Sequence, residues 1–116
     1  MEDCIFCKIV HGKIPVNKIY ENDNFIAFPD AAPQTEGHTL IVTKKHFVNS
    51  MDLPGSLGYG FLDAVKSIAE IKIKEGFDGF NIVQNNFSSA GQVVMHCHFH
   101  FLPRKNGDGK HLRLVK

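Results

Sequence analysis

The sequence predicts an α+β domain, an antiparallel sheet of short strands packed around one long helix. Three observations lead there. Five short apolar segments are bounded by Gly, Pro, Asn or Asp; one long stretch alone carries apolar residues at helical spacing; and most connections are short enough for hairpins, whereas parallel strands need crossovers of about a dozen residues or more. Neither a Walker motif nor a G-x-G-x-x-G is present, so a parallel nucleotide fold has no support here.

The elements follow in chain order. "CIFCKIVHGKIP" opens with a helical turn or two in which Phe6, Ile9 and Val10 can face inward, and Gly12 and Pro15 end it. "KIYEND" and "NFIAFPD" read as two strands joined by an Asn/Asp turn. After the polar loop "AAPQTEG", "HTLIVTKKH" is a third strand, with Leu40 and Val42 on the face opposite Ile41. From Gly55 to Lys74 the apolar residues Leu57, Phe61, Ala64, Val65, Ile68 and Ile71 keep helical spacing, with Gly76 as the stop. Gly58 and Gly60 weaken its first turns by about 1 kcal/mol each. "FNIVQNN" is the fourth strand and "MHCHFHFLPR" the fifth.

A chain of 116 residues is expected to be a single domain, residues 1–116, with one modest core. Its formal charge of +1 leaves no global field for nucleic acid or a membrane surface. No apolar run approaches the roughly 20 residues of a membrane span, and the N-terminus lacks the pattern of a secretory signal, so a cytoplasmic protein is expected. Three cysteines cannot all pair with one another; Cys4 and Cys7 in "CIFC" point to metal or redox work rather than a disulfide framework.

The fifth strand carries the chemistry. His96, His98 and His100 alternate with Cys97, Phe99 and Phe101, and the two-residue period of a strand puts the imidazoles on one face and the apolar residues on the other. His96 and His100 would lie about 13 Å apart, too far to share one metal, which makes His98 the centre of the set. A lone histidine is most simply a hydrogen-bonded core residue; three in strict alternation are not. The preceding loop "NNFSSAGQ" can point backbone N–H groups into a concavity and hold a phosphate, although Asn, Ser and Gly also simply make turns.

"HCHFHFL" fits the histidine-triad pattern, His-φ-His-φ-His-φ-φ with φ apolar, and the match continues through "CIFCKIVHGKIP", "YENDNFIAFPDAAPQTEGHTLIVTKKH" and "NIVQNN…AGQVVMH". From about residue 3 to residue 104 the chain resembles the Hint branch of the histidine-triad (HIT) superfamily of nucleotide hydrolases and transferases. The resemblance implies a five-stranded antiparallel sheet with one long and one short helix, joined across a homodimer. It also implies release of a nucleoside monophosphate from a phosphoramidate or mixed anhydride of a purine nucleotide.

What the resemblance implies for single residues is equally specific. His98 corresponds to a nucleophile that attacks the α-phosphorus while its other ring nitrogen is held by a backbone carbonyl; His100 contacts phosphate or leaving-group oxygen; His38 and His96 complete the catalytic set. Asn85, with backbone donors near Gly91 and Gln92, forms the phosphate cradle. Asp30 accepts the ribose hydroxyls, and Ile5, Phe6, Ile9, Phe28 and Leu40 surround the base. Read without the resemblance, Asp30 and Asn85 are turn residues and Phe28 and Leu40 are core. Val93 stands where many Hint relatives carry Ser, which removes a hydroxyl near the leaving group. The related dinucleoside polyphosphate hydrolases and a nucleotide-binding adaptor are the rival readings.

Cys-x-x-Cys supplies two of the four S or N ligands of a structural zinc site, and a thioredoxin-like pair would need a βαβ context that is absent. By resemblance His46 and His96 close that site, giving one structural Zn2+ per chain on Cys4, Cys7, His46 and His96. Cys97 reads as a small core hydrophobe, and His11 and His111 as solvent-facing. The tail "RKNGDGKHLRLVK", residues 104–116, holds five basic residues against one acid: a solvated terminus, or a segment that draws in anionic substrate or borders the partner's site.

Overall fold

The structure is a computed structural model and describes residues 3–110. Helix α1 (Ile5–Val10) leads into a hairpin of β1 (Tyr20–Glu21) and β2 (Phe25–Pro29); β3 (Thr39–Thr43) precedes the long helix α2 (Gly58–Lys74), and β4 (Gly79–Val83) and β5 (His98–Arg104) follow. All strand pairs are antiparallel, in the order β1-β2-β3-β5-β4. The α+β fold expected from the strand segments is the fold observed.

The hairpin turn is built by Asn22, whose Oδ1 accepts the N–H groups of Asn24 and Phe25. The sheet is covered on both faces. Phe25, Ala27, Ile41, Cys97, Phe99 and Phe101 pack under Ala64, Val65 and Ile68 of α2, while Ile26, Phe28, Leu40 and Val42 meet Phe6 and Ile9 of α1. Double burial explains why β2 and β3 are continuous apolar runs rather than alternating ones.

Two details depart from expectation. The first turn of the Gly55–Lys74 segment is a 3-10 turn, Gly55–Leu57, and the α-helix begins at Gly58. The helix buries Ala69 and Lys72 as well as Ala64, Val65 and Ile68, while Ile71 is only half-buried; the Lys72 ammonium lies beside Gly37 and reaches Glu75 at 3.2 Å. Gly76 ends the helix at φ +102°. In the tail Arg104 pairs with Asp108 and Lys105 lies over the Phe77 ring; His111 and the rest of the basic segment lie outside the described residues. Among the described residues no helix is long and apolar enough to cross a membrane.

Candidate active site

Register sets the site. Because β3 and β5 are antiparallel neighbours with Val42 opposite His98 and Leu40 opposite His100, both imidazoles stand on the α1 face of the sheet. Ladder pairing of β5 begins only at His98, but the alternation extends back to His96, since Phe6 meets the rings of both His96 and His98 edge-on. Cys97, on the other face, is fully buried with its thiol pushed up to about 11 by desolvation, as suits a core residue.

A cleft of about 570 Å³ opens on that face. One wall is apolar, made by Ile5, Phe6, Ile9, Phe28 and Leu40, with Ile14 and Val16 from the segment after α1. Asp30, Asn85, His98 and His100 form the polar end. A slot of this size with a few convergent polar groups is a common form of small-molecule site. Ile14 and Val16 carried no signal in the sequence beyond being apolar; they join because Gly12, at φ +76°, turns the chain after α1 back over the sheet.

The hydrogen bonds assign tautomers along the histidine set. His98 Nδ1–H donates to the His96 carbonyl at 2.6 Å, which leaves the lone pair of the neutral ring on Nε2. The N–H of Gln34 donates to His38 Nδ1 at 3.1 Å, so the His38 proton sits on Nε2 and donates to His100 Nδ1 at 3.0 Å. His100 must then carry its own proton on Nε2. Neighbouring rings 5.3 Å apart thus have opposite character, one with a free lone pair and one with a free N–H. The His98 polarity is set directly by a backbone carbonyl, and that of His100 is relayed from the Gln34 N–H through His38.

Charge reinforces this. Burial, then the proximity of His98 and His38, pushes His100 down to about 4 against a pull in the other direction from Asp30, and burial lowers His38 as well. Both are neutral near pH 7. Asp30 Oδ1 accepts the Ala32 N–H at 2.8 Å, while Oδ2 lies 3.4 Å from His38 Nε2 and 4.0 Å from His100 Nδ1.

The 85–94 loop differs from its expected form. Gly91, at φ +92°, closes a 3-10 turn, Ser88–Ala90, and the N–H groups of Gly91 and Gln92 donate back to Ser88 and Phe87 carbonyls. Those N–H groups are taken up within the turn, while Gly91 itself lines the cleft. Asn85 stays at the polar end, its amide 3.4 Å from the Gly91 carbonyl. The Gln92 side chain is buried behind the loop: Nε2 donates to the Val48 and Val94 carbonyls and Oε1 accepts the Phe87 N–H. Gln92 holds the loop rather than lining the cleft. Val93, 85% exposed, borders the cleft with a methyl surface.

A second cluster lies at the start of the histidine segment. His96 Nε2–H donates to the Thr43 carbonyl at 2.7 Å, leaving Nδ1 as the lone-pair nitrogen, 3.2 Å from Cys4 Sγ, 3.5 Å from Cys7 Sγ and 3.1 Å from His46 Nδ1. Cys7 Sγ is 3.2 Å from His46 Nδ1. Two sulfurs and two imidazole nitrogens converge within 4.8 Å of one another. Zn–S bonds of about 2.3 Å and Zn–N bonds of about 2.0 Å in a tetrahedron require ligand separations of roughly 3.3 to 3.8 Å. The donor set fits a four-coordinate metal centre. His96 therefore serves this cluster with its ring and the cleft with its carbonyl, and its ring does not line the cleft.

Comparison with known proteins agrees with this geometry. The HIT domain family model matches residues 11–107. An uncharacterized HIT-like protein of Methanocaldococcus jannaschii is 48% identical over 107 residues, 92% of this chain and 83% of its own. An adenosine 5'-monophosphoramidase of Schizosaccharomyces pombe is 39% identical over 103 residues, covering 89% of this chain and 75% of that one. The crystal structure of a zinc-bound histidine triad family protein from Mycobacterium smegmatis superposes with a TM-score of 0.87 at 38% identity, over 98% of this chain and 84% of that chain. With most of its length matched and the histidine alternation intact, the chain belongs to the HIT domain family.

Proposed function

We propose that the protein is a nucleotide hydrolase that cleaves the α-phosphate bond of purine nucleoside phosphoramidates or related mixed anhydrides and releases the nucleoside monophosphate. The observation that carries this reading is the pair of opposed tautomers at the polar end of an apolar slot. His98 Nε2, held as a lone-pair nitrogen by the His96 carbonyl, attacks the α-phosphorus; the P–N or P–O bond to the leaving group breaks and its electron pair leaves with that group, which takes up a proton. Water then attacks the phosphorus of the nucleotidyl-histidine and gives its proton to solvent, the bond to Nε2 breaks with its electron pair returning to that nitrogen, and the monophosphate departs with the water's oxygen. His100 Nε2–H and the Asn85 amide are the donors for charge on the phosphoryl oxygens.

The apolar wall takes the base and Asp30 takes the ribose. The relative named as a monophosphoramidase supports the substrate class. Cys4, Cys7, His46 and His96 would hold one zinc, and four protein ligands would leave it no open position, so it would tie α1 to the segment just before β5 and supply no Lewis acid to the chemistry. The assembly proposed is a homodimer joined through β4, an outer strand of the sheet, whose Phe80 and Ile82 are more than a third exposed.

The test is a substrate panel of adenosine and guanosine phosphoramidates and diadenosine polyphosphates, run on wild type and His98→Ala. Monophosphate release from the phosphoramidates by wild type alone is the expected result. Equal turnover by both proteins disposes of the mechanism, and a preference for the polyphosphates moves the substrate class.

A further inference from the structure

We propose that Asp30 does more than bind the ribose: it lets the ribose diol select the tautomer of His100, and so makes the phosphoryl chemistry sense the sugar. The inference rests on the proposed nucleotide reading of the cleft and deepens it. Its ground is a competition visible around one carboxylate oxygen. His38 Nε2–H donates to His100 Nδ1 at 3.0 Å, yet Asp30 Oδ2 stands only 3.4 Å from the same His38 nitrogen and 4.0 Å from His100 Nδ1. Asp30 Oδ1 is held by the Ala32 N–H, while Oδ2 accepts no hydrogen bond from any described residue.

A charged oxygen without a donor beside two imidazoles favours whichever arrangement points an N–H at it. His38, held by the Gln34 N–H on its Nδ1, has a single Nε2–H, and His100 Nδ1 at 3.0 Å and Asp30 Oδ2 at 3.4 Å compete for it. If that proton turns to Asp30, His100 Nδ1 has no donor facing it and the ring's one proton can sit on either nitrogen; when it moves to Nδ1, where it points toward Asp30, it leaves His100 Nε2. That nitrogen then faces the phosphate with a lone pair, which repels an oxyanion. A ribose diol donating to Oδ2 satisfies the carboxylate and removes the competitor. His38 then donates to His100 alone, and His100 Nε2–H is available to the phosphoryl oxygen. His38 is in this sense a positioning residue, and Asp30 carries the signal from sugar to phosphate.

The consequence is that a substrate lacking the diol loses turnover as well as affinity. In 15N-histidine protein, with His100 assigned by its absence from His100→Asn, AMP should place the proton on His100 Nε2, and 2',3'-dideoxy-AMP should leave a mixture of tautomers. For adenosine phosphoramidate against its 2',3'-dideoxy analogue, kcat at saturation should fall about tenfold in wild type, short of the 100- to 1000-fold typical for complete loss of an oxyanion donor. In Asp30→Asn the two substrates should show nearly equal kcat. Identical His100 tautomers in both complexes, or a dideoxy effect confined to KM while turnover still requires His98, overturns the coupling and leaves the hydrolase reading in place. Failure of AMP to bind, or turnover independent of His98, overturns both. The wild-type spectra decide the matter even if Asp30→Asn folds too poorly to assay.

Discussion

At the scale of single residues, three histidines in one strand-like run differ in what their ring nitrogens meet: His96 and His98 each find a carbonyl, and His100 finds the Nε2–H of His38. His96 gives its Nε2–H to Thr43 and turns Nδ1 toward sulfur, whereas His98 gives its Nδ1–H to His96 and keeps Nε2 free. His98→Asn should therefore lower monophosphate release at least about a thousandfold while leaving metal content and melting temperature unchanged, as assay, plasma mass spectrometry and thermal melts would show. Loss of metal in that variant would break the division of roles. His100 and His38 also make stability depend on pH. An unfolded histidine takes up its proton near 6.5, but folded His100 resists until about 4. Between those values the unfolded chain binds more protons, so stability is full above pH 6.5 and is lost as pH falls toward 4. Urea melts should show unfolding free energy falling by on the order of 1 kcal/mol from pH 7 to pH 5, and His100→Asn should make that slope shallower by its share, leaving the part due to His38; a wild-type curve that is level or rises toward pH 5 refutes the assignment.

At the scale of elements, most of the fold was legible because burial writes itself into periodicity. The runs "FIAF" and "TLIV" read as strands because both faces of the sheet are covered, and the Gly55–Lys74 spacing reads as a helix because one stripe of it meets that sheet. The site was legible where it follows from alternation, as with His98 and His100 on one face. It was not legible where loop geometry decides. No local rule announces that Gly91 and Gln92 spend their N–H groups inside the loop, or that the Gln92 side chain ties three backbone groups together from 44, five and two residues away. Gln92→Ala leaves those part-buried backbone groups without their side-chain partner and should cost about 1 kcal/mol, with turnover falling as the loop loosens. Chemical denaturation alongside the assay checks it; an unchanged midpoint means the loop is held by something else. The α1 end responds differently. Cys4→Ala removes one sulfur ligand and the acceptor for the Cys7 N–H, so it should lose metal and lower the melting temperature by more than about 5 °C, with activity falling only as the carbonyl of His96 shifts. A Cys4→Ala protein that keeps stoichiometric zinc would show that the cluster is not the binding site.

At the scale of the whole molecule, the order β1-β2-β3-β5-β4 leaves two edges, and they differ in kind. The β1 edge is two residues long, and Glu21 there pairs with Lys18 and Lys44, a short charged edge of the sort that discourages further strand addition. The β4 edge is five residues long and carries no charge along Gly79–Val83. Phe80 stacks on Phe101 at 4.7 Å and still leaves 42% of its surface open, and Ile82, two residues on, shares its face. An uncharged edge with apolar side chains beside it is suited to antiparallel pairing with its own copy, which would join two sheets and place the active clefts in one assembly. Ile82→Lys puts a charge in the centre of that seam without entering the core of the protomer, so it should shift the protein from dimer to monomer at micromolar concentration while the protomer's melting transition stays cooperative. Sedimentation velocity on both proteins is enough to decide. A wild type that sediments as a monomer removes the assembly and leaves the fold and cleft as described, whereas an Ile82→Lys protein that remains a dimer moves the interface to another face.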